Sequence, residues 1–355
     1  MPYDRGVVRR LLNLLLAALP IAVASRLLHW PEWATFAAAA VSLLPLAGWI
    51  GRATEHAAGK MGTGLGGLMN ATFGNAAELI LTIFALRAGL VDVVKASLTG
   101  AIIGNTLLVL GLSAVVGGAR HGTQKFPVGP TGRHAAMMIL AVSGMALPAV
   151  FATVVHKAFI REEVSVGVSI LLLLTYAAYI YFSYFSRQRD VRSGADHADS
   201  AAGWSLRRVF VVLGLSVVGT VVASELLVGS IEAVSRQLGL SHFFIGLIVI
   251  PILGNVAENY SAIVFAGRNK MDLALSIAAN SSTQIAVFVA PLLVLVSLWI
   301  RPMDLIFQPI ELVTLFASSA IFAYISLDGE TNWLEGVQLL ALYLIAAVAF
   351  FFLPG

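Results

Sequence analysis

Runs of about twenty predominantly apolar residues follow one another along the whole of this chain, and no other feature constrains its fold as much. A helix needs ~20 such residues to cross the ~30 Å hydrocarbon core of a bilayer. Cutting the chain at charge clusters and Gly/Pro breaks gives eleven candidate spans. They run roughly over 7–28, 32–51, 62–87, 92–117, 133–156, 163–186, 205–227, 242–266, 272–300, 307–327 and 333–353. The runs show little polar/apolar alternation, which argues against a transmembrane β-barrel. Only 12% of the residues are charged and 59% are hydrophobic, against the ~25% charge of an ordinary globular chain. The expected class is an all-α, multi-pass integral membrane protein with about eleven transmembrane helices. A soluble enzyme, a disordered scaffold and a nucleic-acid binder are excluded, because the net charge of +3 is scattered over short loops and forms no phosphate-binding patch. With no cysteine, disulfides, thiolate zinc sites and Fe–S clusters are out, and no cofactor is expected.

Lys and Arg bias orients such a bundle. With the N-terminus inside, fifteen of the 22 basic residues fall on the inner side, among them Arg52, Lys60, Arg120, Arg207, Arg208 and Arg268. The expected topology is N-terminus cytoplasmic and C-terminus outside. The first run has no small-residue cleavage site behind it and reads as a retained helix. The longest polar stretch, Arg187–Gly203, reads as a cytoplasmic linker between two halves.

Those halves repeat each other. Gly74-Asn75-Ala76-Ala77-Glu78 and Gly254-Asn255-Val256-Ala257-Glu258 both read GNxAE, 180 residues apart, and Asp92 and Asp272 keep that offset. Ala53-Thr54-Glu55 resembles Ala223-Ser224-Glu225, and Ser97…Gly104-Asn105 resembles Ser276…Thr283-Gln284 at an offset of 179. Four matches in one order indicate duplication. The division expected is an extra N-terminal helix (1–30), a first five-helix repeat (31–186), the linker (187–204) and a second five-helix repeat (205–355). Five is odd, so the second copy enters the membrane inverted. Inverted repeats are the architecture of secondary transporters, with the substrate site near the midplane where the copies meet.

Glu78 and Glu258 lie well inside their runs. A charge at that depth costs ~2.5–3.5 kcal/mol on insertion scales, so two of them imply a hydrated cavity or a bound cation. Asn75 and Glu78 are i, i+3 and share a helix face with Thr72 and Thr82 nearby; Asn255, Glu258 and Ser261 repeat the arrangement. The donors are all oxygens, which suits a hard cation such as Ca²⁺ with its ~6–8 oxygen ligands. Pro251 removes an N–H and frees a carbonyl, and Gly66, Gly67 and Gly74 loosen the first copy. Two facing carboxylates also bind protons, and Ca²⁺ displaces them because ligands must be deprotonated to bind metal. Exclusive occupancy by one or the other is a minimal cation/proton antiporter. Simple pairing of the glutamates with basic residues is the alternative, and neither motif helix carries Lys or Arg at depth.

GNAAELILTIFAL with GNVAENYSAIVFA, supported by GTGLGGLMNATFGN, ASLTGAIIGNTLLVLG and SSTQIAVFVAP, resembles the paired motifs of the Ca²⁺/H⁺ antiporters in the cation/calcium exchanger superfamily, over roughly residues 50–350. The resemblance implies an eleven-span fold with a leading helix outside the transport core, and Ca²⁺ export driven by inward proton flow. It also implies shared Ca²⁺/H⁺ sites at Glu78 and Glu258, Asn75 and Asn255 beside them, and Gln284 on a helix that packs on the site. Its partners are Ca²⁺, H⁺ and the lipid bilayer, and homo-oligomerisation is left open. The short loops point to a prokaryotic cytoplasmic membrane, with a vacuolar membrane as the alternative. The chain departs from the family in its linker, where Asp190, Asp196 and Asp199 mix with arginines, and in Asn280 at an expected glycine. Alternatives in function are a Na⁺/Ca²⁺ or other monovalent/divalent cation exchanger, and a cation channel.

The remaining features are weighed against plainer readings. Glu55 and Glu225 form a second repeated acidic pair, read either as a relay at the mouths of the cavity or as interfacial charge. Asn105 joins them as a secondary polar position. Glu311 and His56 read as interfacial and loop residues. Gly62-Thr63-Gly64-Leu65-Gly66-Gly67 matches a dinucleotide fingerprint but lacks the preceding strand that such a fingerprint needs, so it reads as close helix packing, as does Gly100-xxx-Gly104.

Overall fold

The computed structural model describes residues 14–155, 157–185 and 204–353. Apart from two short strands it is helical. The helices are α1 (Ala18–Leu27), α2 (Glu32–Phe73), α3 (Ala76–Arg87), α4 (Val91–Ile103), α5 (Leu110–His121), α6 (Val128–Val154) and α7 (Ala158–Ile180) in the first half. In the second they are α8 (Leu206–Leu238), α9 (His242–Phe244), α10 (Ile250–Ala266), α11 (Met271–Gln284), α12 (Ala290–Ser297), α13 (Pro309–Asp328) and α14 (Trp333–Phe351). Among the described residues eight helices are long and apolar enough to cross a membrane, and a ninth span results if the bent pair His242–Val256 and Glu258–Ala266 counts as one.

Two of the eleven expected spans take a different form. The runs 32–51 and 62–87 are not separate helices: α2 is continuous from Glu32 to Phe73, and the break falls at Gly74-Asn75. The charges Arg52, Glu55 and Lys60 do not interrupt it, because Arg, Glu and Lys are good helix formers and only the apolar window ends there. Glu32–Ala58 is the part of α2 that qualifies as a span. The run 205–227 extends to Leu238, closed by Gly239 in the left-handed region (φ 65°). The run 7–28 is described only from residue 14. The linker lies outside the described residues except for Trp204, and the glycines at 62–67 lie along α2.

The repeat is visible in three dimensions. α4 and α11 each pass through a π-helical turn, at Gly104–Val109 and Ile285–Val289, before continuing as α5 and α12. Asn105 and Gln284 sit at these junctions. π turns are uncommon and concentrate at functional positions. The spans Val91–His121 and Met271–Ser297 are the most enclosed, with 72% of their apolar window buried against 28–44% for the others. They form the centre of the bundle. The long helices α2 and α8 pack along each other, and α6, α7 and α14 lie outside. Those outer helices expose Leu147, Val150, Leu171, Leu174, Leu344 and Ile345. In water such faces would be costly, whereas lipid tails cover them at no cost. Trp30, Trp33, Trp299 and Trp333 are exposed at or next to helix ends, where an aromatic belt would meet the headgroups.

One end of the bundle is tied across the halves. Strand β1 (Gln124–Lys125) pairs antiparallel with β2 (Glu330–Thr331). Beside it Gln124 donates to the Ala266 carbonyl at 3.1 Å and to Asn269 Oδ1 at 3.0 Å, and Arg120 and His121 contact the Gly267 carbonyl. At the opposite end Lys95 pairs with Asp304 and donates to the Ile306 carbonyl at 2.9 Å. Glu311 is almost fully buried, not interfacial, and accepts from Thr99 at 2.8 Å and from the Gln308 N–H at 2.8 Å. It closes a capping box at the start of α13.

Candidate functional site

Each motif glutamate stands next to a break or a bend in its helix. α3 begins at Ala76, directly after the Gly74-Asn75 break, so Glu78 is its third residue. In the second copy α10 is helical throughout, and the chain bends by 69° between His242–Val256 and Glu258–Ala266, next to Glu258. The bend in the second copy lies next to Glu258, while Pro251 follows directly on the π turn Ile245–Val249. At the start of α3 the unpaired N–H groups and the positive end of the helix dipole lie beside Glu78.

The two motifs meet. The Glu78 carboxylate accepts a hydrogen bond from the Asn255 side chain and lies within the electrostatic field of Glu258. A Cβ on Gly254 would stand 3.6 Å from Glu78 Cγ, in ordinary contact. Glu78 is buried, and its Oε1 has no hydrogen-bond partner. Glu258 is half-buried, accepts from Ser281 and feels the charge of Glu55 on α2. Buried polar atoms are ordinarily satisfied, so an orphaned carboxylate oxygen beside a second carboxylate points to something that binds there.

The amides form a brace across the halves. Asn75 occupies the N-cap position of α3, but its side chain does not cap the helix. It donates to Gln284 Oε1 at 2.6 Å instead, joining residues 209 apart. Asn105 donates to Ser281 Oγ at 2.9 Å, and Ser281 in turn donates to Glu258. Asn255 thus bonds to Glu78 and Asn105 reaches Glu258 through Ser281, while Asn75 and Gln284 form a pair of their own across the halves. Thr72 and Ser261 are half-buried on the motif helices. The Thr82 hydroxyl is spent on the Glu78 carbonyl at 2.7 Å, as is usual for Thr inside helices. Glu55 lies near Glu258 although exposed, whereas its repeat partner Glu225 is exposed on α8 and takes no part in this network. His56 is no loop residue: it lies within α2 with its ring 4.7 Å from Trp204.

A small cleft opens beside the motifs, walled by Asn105 and Gly104 from the first half, Asn255 and Asn259 from the second, and Tyr343 from α14. Sequence reasoning missed Ser281, Asn259 and Tyr343. Ser281 and Asn259 adjoin motif text, while Tyr343 lies in an apolar run with nothing to mark it. A separate cavity of about 700 Å³ lies at the end of the bundle near Asp92, His242 and Gln308. Among the described residues no three His, Cys, Asp or Glu side chains converge. The donor set is two carboxylates with amide and hydroxyl oxygens, suited to a hard cation.

The chain matches the model of the sodium/calcium exchanger protein family twice, over residues 31–185 and 208–352. It is similar to a Ca²⁺/H⁺ antiporter of Aphanothece halophytica, 43% identical over 96% of each chain. It is also similar to the Ca²⁺/H⁺ antiporter ChaA of Bacillus subtilis, 40% identical over 96% of this chain and 98% of that one. Among solved structures it resembles native YfkE with a TM-score of 0.84 and 39% identity, covering 96% of this chain and all of the other.

Proposed function

The chain belongs to the sodium/calcium exchanger protein family, and from that membership and its full-length relatives we infer that it is a Ca²⁺/H⁺ antiporter, a secondary transporter and not an enzyme. The observation that carries the molecular reading is the meeting of Glu78 with the second GNxAE motif, with one Glu78 oxygen left without a partner. In this reading Glu78 and Glu258 are the shared site. Ca²⁺ binds between them when both are ionised, and protons neutralise them when it leaves, so the pair carries one cargo or the other. Asn75 with Gln284, and Asn105 with Ser281, hold the two half-helices at the separation the cation needs. Asn255 fixes the Glu78 carboxylate and offers its carbonyl oxygen. Thr72 and Ser261 lie on the approach, and Glu55 passes protons or cations to Glu258 from the mouth on its side; Glu225 takes the same role at the other mouth.

The membrane is read as a prokaryotic cytoplasmic one, with the N-terminus inside and the C-terminus outside, so Ca²⁺ leaves the cell as protons enter. The five-helix units 31–186 and 205–355 expose the site to each side in turn. The test is ⁴⁵Ca²⁺ uptake into inverted vesicles energised by a proton gradient. Uptake is expected to fall to the background of vesicles without the protein when a protonophore is added, and to be insensitive to added Na⁺. Protonophore-resistant uptake that follows the Na⁺ gradient would overturn proton coupling.

A further inference from the structure

Thr283 and Gln284 close α11 where the chain enters its π turn, and Thr283 is held from behind in a way that its repeat counterpart is not. The His134 ring on α6 sits between two hydroxyls. Tyr179 on α7 lies 3.4 Å from Nε2, and Thr283 lies 3.5 Å from Nδ1. A neutral imidazole has one donor and one acceptor nitrogen, and a hydroxyl serves in either role, so the ring can satisfy both contacts at once. Thr283 is buried. The His134 and Tyr179 rings meet edge-on with centroids 5.8 Å apart, and Tyr176 stands 5.4 Å from Phe288 in the π turn itself. In the first copy the residue that matches Thr283 is Gly104, which has no side chain to be held, and a Cβ there would meet nothing within 4 Å.

We propose that His134 is a positioning residue of the exchange: through Thr283 it fixes the end of α11, keeps Gln284 on Asn75, and thereby helps set the affinity for Ca²⁺. The proposal rests on reading Glu78 and its neighbour Asn75 as part of the Ca²⁺ site. The link is short, running over two adjoining residues and one hydrogen bond. Asn75 gives its amide N–H to Gln284 Oε1 at 2.6 Å, so the carbonyl end of that amide is turned away from Gln284. Asn75 is also the residue at which α3 starts, three before Glu78. A π turn interrupts the regular ladder of backbone bonds, so the helix end beside it depends on side-chain contacts to keep its rotation. Interhelical hydrogen bonds supply such contacts inside a bilayer. Loss of the clamp lets Gln284 turn, which frees the Asn75 amide and loosens the start of α3.

Replacements at His134 separate its two contacts. Nδ1 is bonded to Cγ, at the place an asparagine amide fills, whereas a glutamine amide reaches toward Nε2. His134→Asn therefore keeps a partner for Thr283, and His134→Gln keeps one for Tyr179 alone. Thr283→Val removes the hydroxyl from the other side at nearly constant volume. Proton-driven ⁴⁵Ca²⁺ uptake is measured over a range of Ca²⁺ concentrations, with the melting temperature of the purified protein alongside. In His134→Gln and in Thr283→Val the apparent KM for Ca²⁺ is expected to rise roughly 3- to 10-fold while the maximal rate stays within about twofold, the loss of one hydrogen bond expressed in ground-state binding. The double variant is expected to be no worse than either single one, because both remove the same contact. His134→Asn is expected to keep the KM within about twofold of the parent. A clamp that serves folding alone would lower the melting temperature and leave the KM where it was. An unchanged KM in His134→Gln or Thr283→Val, additive effects in the double variant, or an asparagine variant as impaired as the glutamine one would overturn the proposal. If His134→Gln does not fold, Thr283→Val decides by itself. Glu78→Gln, run in parallel, keeps the two readings apart. Normal transport in that variant removes the Ca²⁺ site, whereas its inactivity together with a native KM in Thr283→Val removes only the role of His134.

Discussion

Replacing Glu78 or Glu258 by glutamine is expected to abolish proton-driven Ca²⁺ transport, lowering the rate at least ~100-fold, because a buried cation then loses half of its compensating charge and several kcal/mol of binding. Glutamine keeps the volume and one carbonyl oxygen, so the half-helices keep their packing. What it removes is the negative charge that holds Ca²⁺ and the atom that takes up the proton, and both halves of the exchange use the same atoms. The fold is expected to survive. Glu78 is held by one hydrogen bond from Asn255 and leaves one oxygen unpaired, so neutralising it breaks no ion pair. Removing a buried carboxylate that lacks a positive partner relieves desolvation cost. The melting temperature of either variant in detergent is therefore expected to equal or exceed that of the parent. Vesicle flux above one-tenth of the parent rate in either variant would remove the shared-site mechanism.

The second large effect is structural and falls on one glycine. Gly100 lies where α4 crosses the π turn Ile245–Val249 of the second half. A Cβ there would overlap the Leu247 carbonyl and stand 2.8 Å from the Pro251 side chain. Gly246 makes the reciprocal contact, with a Cβ there 2.8 Å from the Val93 carbonyl. Backbone carbonyls cannot move aside as side-chain ends do, so Gly100→Ala forces the two halves apart at the seam above the site. Overpacking costs ~1–3 kcal/mol and more against rigid atoms. In a chain of this size Gly100→Ala is expected to lower the melting temperature by roughly 5–10 °C. Gly104→Ala, one helical turn along the same helix, is expected to shift it by less than about 2 °C, since open space surrounds it. A Gly100→Ala protein as stable as the parent would show that the crossing is loose.

Much of this was legible in the sequence. The apolar runs gave the class, because a chain with so little charge has few ways to cover a water-facing surface. The two GNxAE segments pointed to Glu78 and Asn255, which meet in the fold. Where the helices break was not legible. Charge clusters were read as ends, yet α2 runs through Arg52, Glu55 and Lys60, because helix formation depends on backbone and packing and not on apolarity. Pro251 was read as the breaker; it follows directly on a π turn, and the bend lies further along, next to Glu258. Apolar periodicity alone does not place such a bend. Glu311 was read as interfacial because it begins a run, whereas its burial depends on Thr99, 212 residues away. Tyr343 was invisible for the same reason, since only the assembled bundle brings it to the wall of the cleft.

The distances along the chain of the ties between halves bear on how the protein is made. Asn75 waits for Gln284, Lys95 for Asp304, Gln124 for Thr331 and Asn105 for Ser281, each partner arriving 176 or more residues later. A ribosome delivers the first half into the bilayer with its amides and its acid unsatisfied, and it stays so until the second half is threaded through. During that interval the nascent chain carries exposed polar groups in a solvent that offers no hydrogen bonds. Membrane quality control can recognise this state, so a stop codon anywhere before the second motif would leave an incomplete chain marked for degradation.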